Sequence, residues 1–285
     1  MTTEDHRHLT VAPFAPGLDH PEGVAWGPDS QVYAGGEAGQ VYRIRLEDGA
    51  IETYANTGGF VLGIAHDAAG NVYACDMGRC DVVRVTPAGE VTTYSAGLPE
   101  RPMRVPNYPV FDAAGNLYVS DSGDWGERNG FIWRIKPGGE AEVWCESANG
   151  FTNGMCLGPD GRSLYVVEST PPLISRVPIN SDGSAGTREI VVELPRTVPD
   201  GVAFDVEDNL YISMYTPDAI YRYGRNGKLT ILYHDWERLI LNAPTNIAFG
   251  GADMKTLLIA SLCGWNLVTV PMTIAGLPVK YPSLA

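Results

Sequence analysis

Six stretches of this chain can be laid on one pattern, and that repetition limits the possible fold more than any other feature. They are EGVAWGPDSQVYAGG from Glu22, LGIAHDAAGNVYACD from Leu62, NYPVFDAAGNLYVSD from Asn107, NGMCLGPDGRSLYVVES from Asn153, DGVAFDVEDNLYISM from Asp200 and TNIAFGGADMKTLLIAS from Thr245. Their landmark residues Tyr33, Tyr73, Tyr118, Tyr165, Tyr211 and Leu258 lie 40, 45, 47, 46 and 47 residues apart. A period in the forties, made of short alternating apolar runs and Gly/Asp/Asn turns, predicts a β-propeller with four-stranded blades. The alternation has a period of two and is rich in Val, Ile, Tyr and Thr, which favours strands over helices throughout. The expected fold is all-β: a six-bladed propeller of four-stranded antiparallel blades, with residues 1–285 as a single domain.

Each repeat follows one plan, for example GVAWG, a tight turn, QVYAG, a loop, QVYRIRL and AIETYAN. The turns GPDS, DAAGN, GPDG and DVEDN supply positive φ angles and local side-chain hydrogen bonds, so Asp29, Asp67, Asp112, Asp160 and Asp205 read as turn residues, not catalysts. The N-terminal HLTVAPFA matches fourth-strand segments such as EVTTYSA and leads into Glu22 as those lead into the next repeat. Residues 8–15 are therefore expected to complete the last blade and close the ring. The C-terminal GLPVKYPSLA matches no strand of the repeat.

In an antiparallel blade the start of the innermost strand, the second-to-third loop and the connection to the next blade share one face, the mouth; the Asp/Gly turns lie on the other. The residues opening the six copies are Glu22, Leu62, Asn107, Asn153, Asp200 and Thr245. They converge on the central channel, and four are oxygen donors: Glu22, Asn107, Asn153 and Asp200. A hard cation such as Ca²⁺ takes 6 to 8 oxygen ligands, so four side chains leave places for water or substrate. Polar lining of a water-filled channel is the plain alternative. The divergence of this one column into complementary ligands argues for a central metal site holding one divalent cation, Ca²⁺ first, with Zn²⁺, Mn²⁺ and Mg²⁺ as alternatives.

Composition narrows the partners. A formal charge of −14, with Lys and Arg scattered, argues against nucleic acid, which needs a basic face. No run approaches the ~18 apolar residues of a membrane helix, and MTTEDHRHLT carries no apolar segment; a membrane is not expected, and the cytoplasm is the expected location. The five cysteines are an odd number without a CxxC pair, which predicts reduced thiols. There is no GxSxG elbow, P-loop or dinucleotide fingerprint. A small-molecule substrate is the expected partner, and oligomeric state is not legible.

PEGVAW with Glu22, NGMCLGPDGRSLYVVES with Asn153 and PDGVAFDVEDNLYIS with Asp200 together resemble the SMP-30/gluconolactonase/LRE (regucalcin-like) family over nearly the whole chain. The resemblance implies a six-bladed propeller with a divalent cation, usually Ca²⁺, in its channel, and hydrolysis of sugar lactones; some relatives hydrolyse organophosphates. It implies Glu22, Asn153 and Asp200 as metal ligands and Asn107 as a ligand or substrate contact. The sugar-acid type carries an Arg two residues before that Asn and then Asp-Gly. Here the chain reads Arg104-Val105-Pro106-Asn107-Tyr108-Pro109, which argues against gluconolactone itself.

The expected reaction is metal-assisted opening of a lactone, sugar-type or more apolar, with the ion polarising the carbonyl and Asp200 positioning and deprotonating water. Substrate contacts are expected from Asn107, Arg104 and Trp125. Trp125 lies in the long loop SDSGDWGERNG; Met77, Arg79, Tyr215 and Trp265 are expected on the same face, together with His20, His66 and His234. The alternatives are a phosphotriester hydrolase using the same ion, a non-catalytic calcium-binding propeller, and a metal-free condensing enzyme of the strictosidine-synthase type, against which the Glu22/Asn153/Asp200 set speaks.

Overall fold

The computed structural model describes residues 2–3 and 9–284 and shows six four-stranded antiparallel blades around a central channel, with Thr2–Thr3 added in parallel to the outer strand of the fifth and a short separate pair, Gly97–Leu98 with Arg101–Pro102. The first sheet comprises Val24–Trp26, Val32–Gly35, Gln40–Ile44 and Ile51–Asn56, from the axis outwards. The next four start from the inner strands Val61–His66, Pro106–Phe111, Thr152–Leu157 and Val198–Phe204. In the sixth, Pro244–Gly250, Thr256–Ser261 and Asn266–Pro271 are followed on the outside by the N-terminal strand Ala12–Phe14. That strand pairs through Ala12↔Thr269, Pro13↔Val268 and Phe14↔Leu267, so the two ends of the chain meet within one sheet. Of the segment 8–15, His8 lies outside the described residues.

Second strands such as Val72–Asp76 and Leu117–Asp121 are buried along their whole length, because a neighbouring blade covers each of their faces. Blades meet through one recurring contact. The landmark tyrosine of one blade stands edge-on to a residue near the end of the next inner strand: Tyr33 to His66 at 4.4 Å, Tyr73 to Phe111 at 5.0 Å, Tyr165 to Phe204 at 4.8 Å and Tyr211 to Phe249 at 5.3 Å between centroids. Edge-to-face pairs add to the burial energy of the rings. Tyr118 shares its cluster with Leu157, and Leu258 shares its own with Trp26, so the same slot recurs around the ring.

The turn aspartates hold these tyrosines in place. The Asp205 carboxylate accepts hydrogen bonds from the Glu207 and Asn209 amides at 2.9 Å, from the Asn209 side chain at 2.8 Å and from the Tyr211 hydroxyl at 3.0 Å. Asp67 and Asp112 repeat the pattern with Asn71, Tyr73, Asn116 and Tyr118. Asp29 binds Tyr33 and Arg43, and Asp160 caps its own turn. A buried phenol beside a carboxylate is costly to ionise, which drives Tyr73 and Tyr211 well above the usual tyrosine range.

The C-terminal segment that matches no strand crosses the turn face of the ring. The Leu277 amide donates to Phe204 O at 2.8 Å, the Tyr281 hydroxyl to Trp26 O at 2.7 Å and the Ala68 amide to Pro282 O at 2.9 Å. Leu284 packs into the cluster of the third blade. The segment thus ties blades five, one, two and three together across the floor of the channel. The five cysteines are all free thiols, and no described helix is long and apolar enough to cross a membrane.

Replacing Asp205 by Ala strands four donors, one of them a buried tyrosine hydroxyl, and is expected to cost about 2–4 kcal/mol in urea unfolding; Tyr211→Phe, which removes one bond, should cost about 1 kcal/mol. His66 generates a pH dependence. Burial holds its imidazole down to about 4, against the pull of Asp29 and Asp67. The unfolded chain therefore takes up the proton first, and stability present above about pH 6.5 is lost as pH falls towards 4, by up to about 3 kcal/mol. The variant His66→Phe, carrying the residue found in the same slot at Phe111, should flatten this acid limb in urea titrations across that window.

Candidate metal centre

The first residues of the repeats are aimed by β-bulges. Pairing of inner and second strands skips between Pro106 and Pro109, Thr152 and Met155, Pro199 and Val202, and Pro244 and Ile247, which frees Asn107, Asn153, Asp200 and Thr245–Asn246 from the ladder. A bulge re-aims a side chain in this way, here at the mouth end of each strand. Glu22 lies just ahead of its strand, which begins at Val24.

The freed backbone is caught by serines of the second strands. Ser120 Oγ accepts from the Tyr108 amide at 3.0 Å and donates to Asn153 O at 2.8 Å, linking its own bulge to the next blade. Ser213 Oγ accepts from the Gly201 amide and donates to Thr245 O. Thr245 Oγ1 donates to Glu22 O at 2.6 Å and continues the chain of bonds into the first blade. Glycines follow the site residues where blades touch: a Cβ on Gly154 would stand 2.5 Å from Asp200 O, and one on Gly23 would overlap Leu62 O.

The connections entering the mouth hang on buried carboxylates. Asp76 accepts from the Phe60 amide, Asp121 from the Arg104 and Val105 amides, Glu168 from the Gly150 amide and Asp218 from the Ala243 amide, at 2.7–3.0 Å. These acids therefore have structural work at the rim.

On this frame sits a set of oxygens without partners. Asn107 Oδ1, Asn153 Oδ1, Asp200 Oδ1 and Asn246 Oδ1 are buried and accept no hydrogen bond. Their orientation follows from the network. Ser122 Oγ spends its proton on Thr152 O and Ser169 Oγ on Pro199 O, so each hydroxyl can only accept, from Asn107 Nδ2 at 3.2 Å and Asn153 Nδ2 at 3.3 Å. The amide oxygens must then face away from the serines. Asn246 Nδ2 donates to Glu22 Oε2 at 3.0 Å and to Glu22 O at 3.2 Å, which leaves its own oxygen free as well. Burial and the nearby Asp200 raise the Glu22 carboxyl well above the usual carboxylate range. Burial pushes Asp200 up to about 7, offset in part by the Asn153 amide. Two buried carboxylates that repel each other, surrounded by oxygen acceptors, form a site that lacks positive charge.

Comparison with known proteins identifies the family. The profile described as SMP-30/Gluconolactonase/LRE-like region matches residues 20–263. The chain belongs to this family. Among curated relatives, a 6-deoxy-6-sulfogluconolactonase of Pseudomonas putida is 31% identical over 113 residues, covering 39% of this chain and 38% of that one. A drp35 lactonase of Staphylococcus haemolyticus is 25% identical over 123 residues, covering 41% and 38%. The match thus spans less than half the length of these relatives. The structure of a gluconolactonase from Xanthomonas campestris aligns with a TM-score of 0.79 at 20% identity, covering 92% of this chain and 89% of that one. A calcium-binding regucalcin of Agrobacterium tumefaciens aligns at 0.75 and 17%, covering 96% and 95%. These likenesses establish the shared fold.

A family that includes a calcium-binding regucalcin implies a divalent cation, and the residues fit one: four buried oxygens, of Asn107, Asn153, Asp200 and Asn246, that no protein donor satisfies, beside the buried carboxylate of Glu22. Glu22 and Asp200 lie within each other's field, Asn153 adjoins Asp200, and Asn107 stands one blade on, held by Ser122. Asn246 is the residue the repeat reading missed. Thr245, the first position of its copy, is a strut, and Asn246 occupies a column that is Gly in four of the six copies, a departure readable from the alignment alone. The two other expected substrate residues lie at the rim: Arg104 Nη2 is held by Asp124 at 2.9 and 3.1 Å, and Trp125 is exposed, packing on Phe151 at 4.9 Å. Tyr215 feels the Asp200 charge, whereas Arg79 is tied to Asp81 and Thr93. His20 pairs with Glu37 at 2.7 Å and lies tilted against the Trp265 ring, 4.4 Å between centroids. His66 is a correction: expected at the mouth, it ends an inner strand and so emerges on the turn face.

Loading of such a site has consequences apart from turnover. Added Ca²⁺ should raise the melting temperature of metal-free protein, by the equivalent of about 2.7 kcal/mol at a hundred times Kd. At neutral pH it should displace a proton from the carboxylate pair, read by calorimetry in buffers of different ionisation enthalpy. Glu22→Gln should raise the metal-free melting temperature and abolish the Ca²⁺ response; a variant that still responds removes Glu22 from the ligand set.

Proposed function

We propose that the chain is a metal-dependent lactonase whose centre is held by Glu22, Asn153 and Asp200, with Asn107 as a fourth ligand or a substrate contact. The observation that carries this reading is the set of buried oxygens without donors around two buried carboxylates. It is supported by membership of a family whose similar members include lactonases and a gluconolactonase. A bound cation would supply Lewis acidity, polarising the lactone carbonyl and stabilising the oxyanion.

The chain's own residues do the rest. Asp200 Oδ1, free of hydrogen bonds, is the atom placed to take the proton of the attacking water. Asn246 holds the Glu22 carboxylate by one charge-assisted bond and so fixes the geometry of the site. The Ser122 and Ser169 bonds keep both amide oxygens turned towards the channel without reorganisation. At the rim, Trp125, Trp236, Leu239 and Trp265 are exposed, and Arg104 is neutralised by Asp124. A rim that offers apolar surface and few free cations suits a lactone with an apolar substituent better than a polyhydroxylated sugar acid.

Acid release from five- and six-membered lactones, with and without chelator, tests the proposal. Turnover should vanish with chelator and return with Ca²⁺, and Asp200→Asn should lower kcat/KM by about 100-fold or more. Turnover that survives chelation, or an Asp200→Asn variant of normal rate, would overturn it.

A further inference from the structure

The far end of the channel holds a cavity of different chemistry from the mouth. Behind the bulges the six inner strands and the C-terminal segment line a half-open cavity of about 430 Å³, within the range of small-molecule sites. Its wall is formed by Trp26, His66, Phe111, Leu157, Phe204 and Phe249, with their strand neighbours and Leu277–Tyr281. The cavity is preformed, because the covering segment is pinned on both sides of Pro278–Lys280. On one side the Leu277 amide is bound to Phe204; on the other Tyr281 and Pro282 are bound to Trp26 and Ala68.

Charge distribution decides what the cavity would accept. The chain has 34 acidic and 20 basic residues, yet the lining contains no carboxylate, and Lys280 is its one cationic side chain besides the titratable His66. His66 is neutral there, since burial holds its imidazole down to about 4. Lys280 is exposed on the covering segment and forms no ion pair among the described residues. Its Nζ reaches the turn of the fourth blade, 3.6 Å from where a Cβ on Gly161 would stand. An apolar chamber with one unpaired ammonium at its edge is complementary to an amphipathic anion.

We propose that this cavity binds an apolar monocarboxylate, its hydrocarbon part among the inner strands and its carboxylate at Lys280. The site is separate from the oxygen cluster at the mouth and does not depend on the lactonase reading.

Decanoate, octanoate, hexanoate, decanol and decylamine can be titrated into the full-length protein, with affinity read by calorimetry and location by the ¹³C-methyl resonance of Met155, which lines the cavity. Affinity should rise by roughly fourfold per added methylene until the chamber is filled. Decanoate should bind more tightly than decanol or decylamine and shift the Met155 signal. Lys280→Met should weaken decanoate by roughly two- to fivefold, Lys280→Glu by more, and Lys280→Arg should restore it. These substitutions are on an exposed residue, and the remaining methyl resonances report that the fold is intact. Glu22→Gln, at the mouth, should leave decanoate binding unchanged. An unmoved Met155 signal, equal affinity for decylamine, or loss of binding in Glu22→Gln would overturn the proposal.

Discussion

Contact between successive inner strands at the axis is the constraint on which the rest depends. Six strands can converge on one channel only if their backbones nearly touch, and the glycines at 23, 63, 154 and 201 permit this: a Cβ at any of them would collide with the neighbouring strand. Backbone groups displaced by that approach need partners, since an unpaired buried amide or carbonyl costs as much as a lost hydrogen bond. Ser120, Ser122, Ser169 and Ser213 supply them by bonding to the neighbouring blade, and Thr245 carries the series from the sixth blade onto Glu22 of the first. The candidate centre is built on this girdle. Its precision follows from the same bonds that hold the blades together.

That placement carries an energetic cost. Glu22 and Asp200 are buried beside each other, and four oxygens stand without donors. In a protein free of ions these groups oppose folding, and the stability that tolerates them comes from elsewhere: the Asp–Asn–Tyr turns, the edge-to-face contacts between blades and the closure of the ring by Ala12–Phe14. Rules of local consistency fail where function is expected. Here four of the unpartnered oxygens gather at one end of the channel.

The two ends of the channel differ because each inner strand changes character along its length. In four of the six the residues at the mouth end are polar and lie in a bulge, and the last residues, His66 excepted, are apolar and face the landmark residue of the preceding blade. One architecture thus presents a polar mouth and an apolar floor, and the C-terminal segment makes the floor a chamber by crossing it. His66, in a slot otherwise held by Trp26, Phe111, Leu157, Phe204 and Phe249, is the single titratable intrusion in that column, and burial keeps it neutral.

The sequence alone determined the blade count, the strand plan and the structural role of the turn aspartates, because these follow from local periodicity and from side chains bonding to residues two to six positions away. It also placed Glu22, Asn107, Asn153 and Asp200 in one column, since a repeat turns sequence position into position around an axis. Tertiary structure decided what depends on neighbours distant along the chain. Asn246 became a member of the cluster through a bond to Glu22, 224 residues away. The orientation of Asn107 and Asn153 was set by serines whose protons are committed to the next blade. Arg104 was neutralised by Asp124 across a loop, and GLPVKYPSLA gained a role only by spanning blades it follows in sequence. Hydrogen-bond direction and burial are properties of the closed ring, and no single repeat contains them.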